Sequence, residues 1–144
     1  MQAQTISLPD LQATAALGAR IAARLRVGDA VALEGDLGAG KTALARAVLQ
    51  ALGVTEDVPS PTFTLVQVYE TPSLTVSHFD LYRIKQEREL DELGFDDALA
   101  TGAALIEWPE RAAHRIPDDA LHIHLAAAGD GRRAHITGPE RWHV

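Results

Sequence analysis

Eight consecutive residues of this 144-residue chain, Gly35-Asp36-Leu37-Gly38-Ala39-Gly40-Lys41-Thr42, have the types and spacing for phosphate chemistry. They satisfy G-x-x-x-x-G-K-[S/T], the P-loop pattern. Glycines let the backbone wrap closely around phosphates with its N–H groups turned inward. A helix starting at the same place adds its positive end. In such a loop the lysine, here Lys41, reaches the β- and γ-phosphates of a nucleoside triphosphate, and the hydroxyl of Thr42 binds Mg2+. The plain alternative is a glycine-rich turn carrying a surface lysine.

Such a site also needs a carboxylate at the end of a neighbouring strand to hold the metal or its waters. Two residues qualify: Asp80, after Leu74-Thr75-Val76-Ser77-His78-Phe79, and Glu107, after Ala103-Ala104-Leu105-Ile106. Spacing along the strands does not choose between them. Asp80 would serve equally as a helix cap or turn residue. Glu107 ends the more continuously apolar run, and a charge there needs a partner. Thr62, in Ser60-Pro61-Thr62-Phe63, could present a hydroxyl to the γ-phosphate, as switch-loop threonines do, or simply close a turn. Arg83 and Arg111 are candidates for neutralising transferred charge, though solvated arginines are the commoner case. His122 and His124 lie two apart on one face of an expected strand, with no third ligand candidate in that segment, which argues against a metal site.

The elements that must position these groups are legible from periodicity. Thr5 to Leu8 reads as a short strand. Ser7, Pro9 and Asp10 then start a helix whose Leu17, Ile21 and Leu25 make one apolar face ending near Gly28. Ala30 to Leu33 reads as a buried strand leading into the glycine loop, and Thr42 to Leu52 as the helix after it, with Gly53 as its stop. Pro59 and Pro61 hold Ser60 extended. Leu65 to Tyr69 and Leu74 to Phe79 read as strands joined by Thr71-Pro72-Ser73. Glu87 to Ala100 is expected to be helical in two pieces broken near Gly94, and Pro109 to His114 a short helix. Leu121 to Leu125 and Ala134 to Thr137 flank Gly129-Asp130-Gly131 as a terminal hairpin. The expected fold class is α/β: one P-loop NTPase domain over residues 1–144, its sheet mainly parallel with antiparallel additions and helices on both faces.

Composition narrows the setting. There is no cysteine, so neither disulfides nor a thiolate metal site is available. The net charge of -7 disfavours non-specific grip on nucleic acid. Any RNA in its biology is therefore expected to be held by a partner. Met1-Gln2-Ala3-Gln4 lacks the basic start and apolar run of a signal peptide, and no stretch approaches the roughly 20 apolar residues of a membrane span. The expectation is a cytoplasmic protein.

The ordered set of motifs resembles the TsaE (YjeE) family, the P-loop ATPases of bacterial tRNA threonylcarbamoyladenosine biosynthesis. The matching residues are Leu33 to Thr42, then Ser60-Pro61-Thr62-Phe63-Thr64-Leu65-Val66 with Tyr69, His78-Phe79-Asp80-Leu81-Tyr82-Arg83, Glu92-Leu93-Gly94, and Ile106-Glu107-Trp108-Pro109-Glu110-Arg111. Thr14 with Leu17-Gly18 resembles the family's first helix. The resemblance implies a single α/β domain that binds ATP with Mg2+, hydrolyses it slowly alone, and acts with two partner proteins, the transferase TsaD and its relative TsaB, on tRNA that it meets only through them. It implies that Thr42 and Glu107 hold Mg2+ and that Asp80 belongs to the phosphate or water network, with Thr62 and Trp108 as active-site neighbours. Asp36, Leu37, Gly38, Ala39, Gly40, Lys41, Thr42 and Ala43 would cradle the phosphates, and Thr14 and Arg132 would border the adenine. Ala43 departs from the family, many of whose members carry a second Thr or Ser there; its backbone N–H remains available to the α-phosphate.

Three rivals make different demands on the sequence. A small-molecule kinase would usually carry an arginine-rich lid, and Arg83 to Arg88 is mixed in charge. A GTP switch would carry Asn-Lys-x-Asp and Asp-x-x-Gly, and neither occurs. A module that holds nucleotide without turnover remains compatible with the sequence.

Overall fold

The computed structural model describes residues 2–144, which form one seven-stranded sheet in the order β1-β7-β6-β2-β5-β4-β3. The strands are β1 (Gln2–Leu8), β2 (Ala30–Glu34), β3 (Val66–Glu70), β4 (Thr75–Asp80), β5 (Ala103–Glu107), β6 (Leu121–Ala128) and β7 (Gly131–Gly138). The four central strands β6, β2, β5 and β4 run parallel. Antiparallel strands close both sides: β3 beside β4, then β7 beside β6 with β1 outermost. Parallel and antiparallel pairings are thus equal in number, so the antiparallel additions weigh more than the sequence suggests. The first strand, legible by itself, gave no sign that its partner is the last.

β2 and β5 are continuously apolar because both faces of the central sheet are covered. Val31, Leu33, Val76, Leu105 and Ile123 face the helices α1 (Leu11–Ala22) and α2 (Lys41–Ala51). Ala30, Phe79, Ala104 and Ile106 face the other way, against Leu81, Ile84, Leu90 and Phe95. That second layer is built from α3 (Arg88–Glu92) and α4 (Phe95–Thr101), which part at Gly94 as expected, and two 3-10 turns at Pro109–Arg111 and Ala113–Arg115.

α1 starts where its cap lies: the Asp10 carboxylate accepts a hydrogen bond from the Ala13 N–H at 2.9 Å. Leu17 and Ile21 are fully buried. Between them Gly18 lies against α2, where a Cβ would come within 2.6 Å of the Ala47 Cβ and 2.8 Å of its carbonyl carbon. The two helices therefore pack backbone to backbone, which fixes α2, and with it the loop at its start, against the sheet. Among the described residues no helix is long and apolar enough to cross a membrane.

Candidate functional site

The P-loop spans the end of β2 and the start of α2. Its last glycine, Gly40, is the N-cap of α2 with φ of 102°, and offers no side chain to cap the helix. The orphan N–H groups of the first helical turn are thereby left to face an anion. At the same end of the sheet the register sets Leu33 of β2 beside Glu107 of β5, and Glu107 beside Asp80 of β4. Both carboxylates that the sequence left in competition therefore sit at the carboxyl ends of parallel strands, where ligands of such sheets lie.

Their bonding separates them. The Thr42 hydroxyl lies 3.0 and 2.9 Å from the two Glu107 oxygens, and the carboxylate can only accept. Asp80 faces the loop instead. It accepts from the Thr62 hydroxyl at 3.1 Å and from the Tyr82 N–H at 3.0 Å, and Ser60 bonds Thr62 in turn at 2.8 Å. The loop is pinned at both ends, by Arg46 of α2 on the Val58 carbonyl and by the Asp80 N–H on the Leu65 carbonyl. Phe63 at its tip is almost wholly exposed.

Lys41 is folded back on its own loop, donating to the carbonyls of Gly35 and Asp36. Its ammonium also stands 4.1 Å from the centre of the Trp108 ring. Trp108 holds this position with a left-handed backbone, φ 58°, and Tyr82 packs on its ring with centroids 4.8 Å apart. Burial holds the Lys41 pKa below the ordinary lysine value, against the opposing pull of Glu107, Asp80, Glu110 and Asp36.

Two cavities that share Gly40 and Ala43 meet over the P-loop. One is lined by Leu37, Gly38, Lys41, Thr42, Ser60, Thr62, Asp80, Glu107 and Trp108. The other lies between the β1–α1 junction and the β6–β7 hairpin, lined by Leu8, Pro9, Asp10, Leu11, Thr14, Leu44, Leu125, Asp130, Gly131 and Arg132 among others. Arg132 ties this hairpin to the P-loop, donating through Nε to the Ala39 carbonyl and through Nη2 to the Gly38 carbonyl, both at 3.0 Å. Of the residues that the family resemblance assigns to nucleotide, metal or their neighbourhood, all but Asp36 line one cavity or the other, and Asp36 contributes a carbonyl that holds Lys41. The donor set suits Mg2+, which prefers oxygen ligands and is held by few protein groups beside substrate phosphates.

The other candidates lie apart. Arg83 stands 5.9 Å from the Phe63 ring, and Arg111 is exposed. The His122 ring nitrogen lies 3.4 Å from a Glu34 oxygen. Sequence reasoning missed His78, whose Nε2 sits 2.7 Å from Glu107, and Ser60 and Tyr82 as supports. The alternation along β4 could have found His78, two residues before Asp80 and so on its face of the sheet.

A family model described as threonylcarbamoyl adenosine biosynthesis protein TsaE matches residues 8–135. The tRNA threonylcarbamoyladenosine biosynthesis protein TsaE of Rickettsia typhi is 40% identical over 113 residues, 78% of each chain. Its Bacillus subtilis counterpart is 39% identical over 121 residues, 83% of this chain and 75% of the relative. The crystal structure of Bacillus subtilis YdiB superposes with a TM-score of 0.82 at 29% identity, covering 99% of this chain and 90% of that one.

Proposed function

This chain belongs to the TsaE family of threonylcarbamoyladenosine biosynthesis proteins, and on that premise we propose that it is a cytoplasmic Mg2+-dependent ATPase that serves this tRNA modification by acting on the TsaD–TsaB transferase complex. The observation that carries the ATPase reading is the bond between Thr42 and Glu107. It joins the P-loop hydroxyl to a strand-end carboxylate, the pair a nucleotide-bound magnesium requires. The second cavity has room for the nucleoside, with Thr14 and Arg132 on its walls.

In this reading Lys41 leaves the Gly35 and Asp36 carbonyls and the face of the Trp108 ring for the β- and γ-phosphates. Thr42 and Glu107 would hold Mg2+, which would supply charge neutralisation at the phosphates when bound. Asp80 orders the loop through Thr62, and one of the two would orient the attacking water. Among the described residues no arginine stands as a finger: neither Arg83 nor Arg111 lines the phosphate cleft. Absence of such a group costs roughly 1,000-fold or more in rate. The chain alone is therefore a slow ATPase, and TsaD with TsaB completes the site by donating a group or by ordering the loop from Ser60 to Thr64. The net charge of -7 makes tRNA alone a poor trigger.

The test is steady-state phosphate release by the isolated chain, by the chain with tRNA, and by the chain with TsaD plus TsaB. Strong activation in the third arm alone supports the proposal. Full activity in isolation, or activation by tRNA without the proteins, would overturn it in favour of an independent hydrolase or kinase.

A further inference from the structure

His78 is fully buried in the middle of the sheet, yet the only side-chain hydrogen bond it makes among the described residues goes to Glu107. Its Nε2 lies 2.7 Å from Glu107 Oε2, and its Nδ1 is buried with no partner. A carboxylate has no hydrogen to give, so Nε2 carries the hydrogen and donates it. An apolar side chain would fill this place without orphaning a nitrogen, so packing alone does not account for histidine here.

The geometry around it does. Glu107 is 3% exposed, and two donors reach it: Thr42 from the P-loop side and His78 from β4. The Thr42 hydroxyl spans both oxygens and so does not fix the rotation of the carboxylate. His78 binds Oε2 alone and does fix it. It also stands on the strand that ends in Asp80, so the metal-side carboxylate and the loop-side carboxylate are referred to one rigid element. This inference rests on the reading of Glu107 as the carboxylate that holds Mg2+. On it, we propose that His78 is a positioning residue: its Nε2–H holds Oε2 of Glu107, leaving Oε1, which among the described residues has only the Thr42 hydroxyl as a side-chain partner, for the metal. Outer partners of this kind typically change metal affinity by about 10- to 100-fold when removed.

The experiment uses the full chain with ATP and Mn2+ as the probe ion, its binding read by electron paramagnetic resonance. Nucleotide affinity in EDTA is read in parallel. His78→Leu, which keeps an apolar fit but has no donor, is expected to weaken Mn2+ binding by about tenfold or more while nucleotide affinity in EDTA stays within about twofold. His78→Gln, whose amide can donate near the Nε2 position, is expected to recover most of the loss. Glu107→Gln separates the two readings. If it leaves Mn2+ binding unchanged, Glu107 is not a metal carboxylate and the site assignment fails. If it weakens Mn2+ binding while His78→Leu does not, the site stands and the positioning role is overturned. A thermal midpoint lowered in His78→Leu with unchanged Mn2+ affinity likewise leaves only a structural role. Should the leucine variant not fold, nitrogen-15 spectra of the histidine-labelled native chain decide. The expected result is a His78 Nε2–H signal that moves when Mg2+ is added to the ATP-bound chain but not when ATP is added in EDTA; a signal indifferent to the metal overturns the proposal.

Discussion

Thr42 and Glu107 are 65 residues apart in the chain, yet the hydroxyl of one lies within 3.0 Å of both carboxylate oxygens of the other. Asp80, the nearer in sequence, makes no such bond and holds Thr62 instead. The register of β2 against β5, with Leu33 beside Glu107, delivers this pairing. Sheet topology thus assigns two carboxylates to two partners, which neither strand could do by itself.

The two variants should therefore fail differently. Glu107→Ala is expected to weaken the Mg2+ dependence of nucleotide binding on the order of tenfold or more, since it removes a charged oxygen ligand. Asp80→Ala is expected to shift that dependence less, and to loosen the Ser60–Thr64 loop, read as faster hydrogen exchange there. A Mg2+ titration in which only the Asp80 variant moves would reverse the assignment.

Lys41→Ala tests the P-loop itself. A charge-assisted bond to phosphate contributes about 1.5–3 kcal/mol, so ATP affinity should fall by roughly 10- to 100-fold. Trp108 gives a second signal, because its ring borders the Lys41 ammonium in the free protein. Its fluorescence should change when nucleotide draws the lysine away, and should respond far less in the variant. Calorimetry showing unchanged affinity would remove the assignment.

The local patterns were readable because each depends on neighbours in sequence: the glycine loop, the apolar face of α1, the break at Gly94, the hairpin at Gly129. The choice between Asp80 and Glu107 was not readable from spacing, because it depends on which strands lie side by side. The pairing of β1 with β7 escaped for the same reason, and with it the wall that brings Pro9 and Gly131 to one cavity. His78 was hidden differently. It read as one residue of a strand and of a family motif, with no role of its own, and only the position of Glu107 on the adjoining strand gives it a partner.

Gly18 provides a stability test in which two effects oppose. Gly18→Ala gains about 0.8–1 kcal/mol of helix propensity. Its new Cβ would stand 2.8 and 2.9 Å from backbone atoms of Ala47 and Val48, which cannot move without shifting α2. Overpacking of this kind costs about 1–3 kcal/mol. The clash should win, leaving the variant less stable by about 1 kcal/mol in urea unfolding. A stabilised variant would mean that α1 and α2 are not packed this closely.

Nucleotide choice and Arg132 belong together. With no guanine-reading motif in the sequence, ATP should be preferred over GTP, and equal displacement of a fluorescent ATP analogue by both would count against that. Arg132→Ala should weaken ATP binding by loosening both the pocket wall and the P-loop. Arg132→Lys should rescue little, because the Gly38 and Ala39 carbonyls are held by two nitrogens of one planar group.

The last prediction concerns pH and follows from Lys41. Burial holds its pKa below the 10.5 of a free lysine, with Glu107, Asp80, Glu110 and Asp36 opposing that shift. Nucleotide phosphates favour the ammonium, so the pKa in the complex lies above that of the free protein. Between these two values the complex binds more protons than its parts. Affinity should accordingly be flat below the free-protein value and fall as pH rises through it, by at most about tenfold per pH unit for one proton. The stability of the nucleotide-free chain has the opposite sign. Here the unfolded state holds the proton more tightly, so the chain should gain stability as pH rises from the free-protein value toward the 10.5 of the unfolded lysine. The measurement is ADP binding in EDTA, which removes the metal from the balance, by calorimetry in buffers of different ionisation enthalpy. Proton uptake should appear on the alkaline side and vanish in Lys41→Met. Uptake that persists in the variant would assign the proton to another group and leave Lys41 charged throughout.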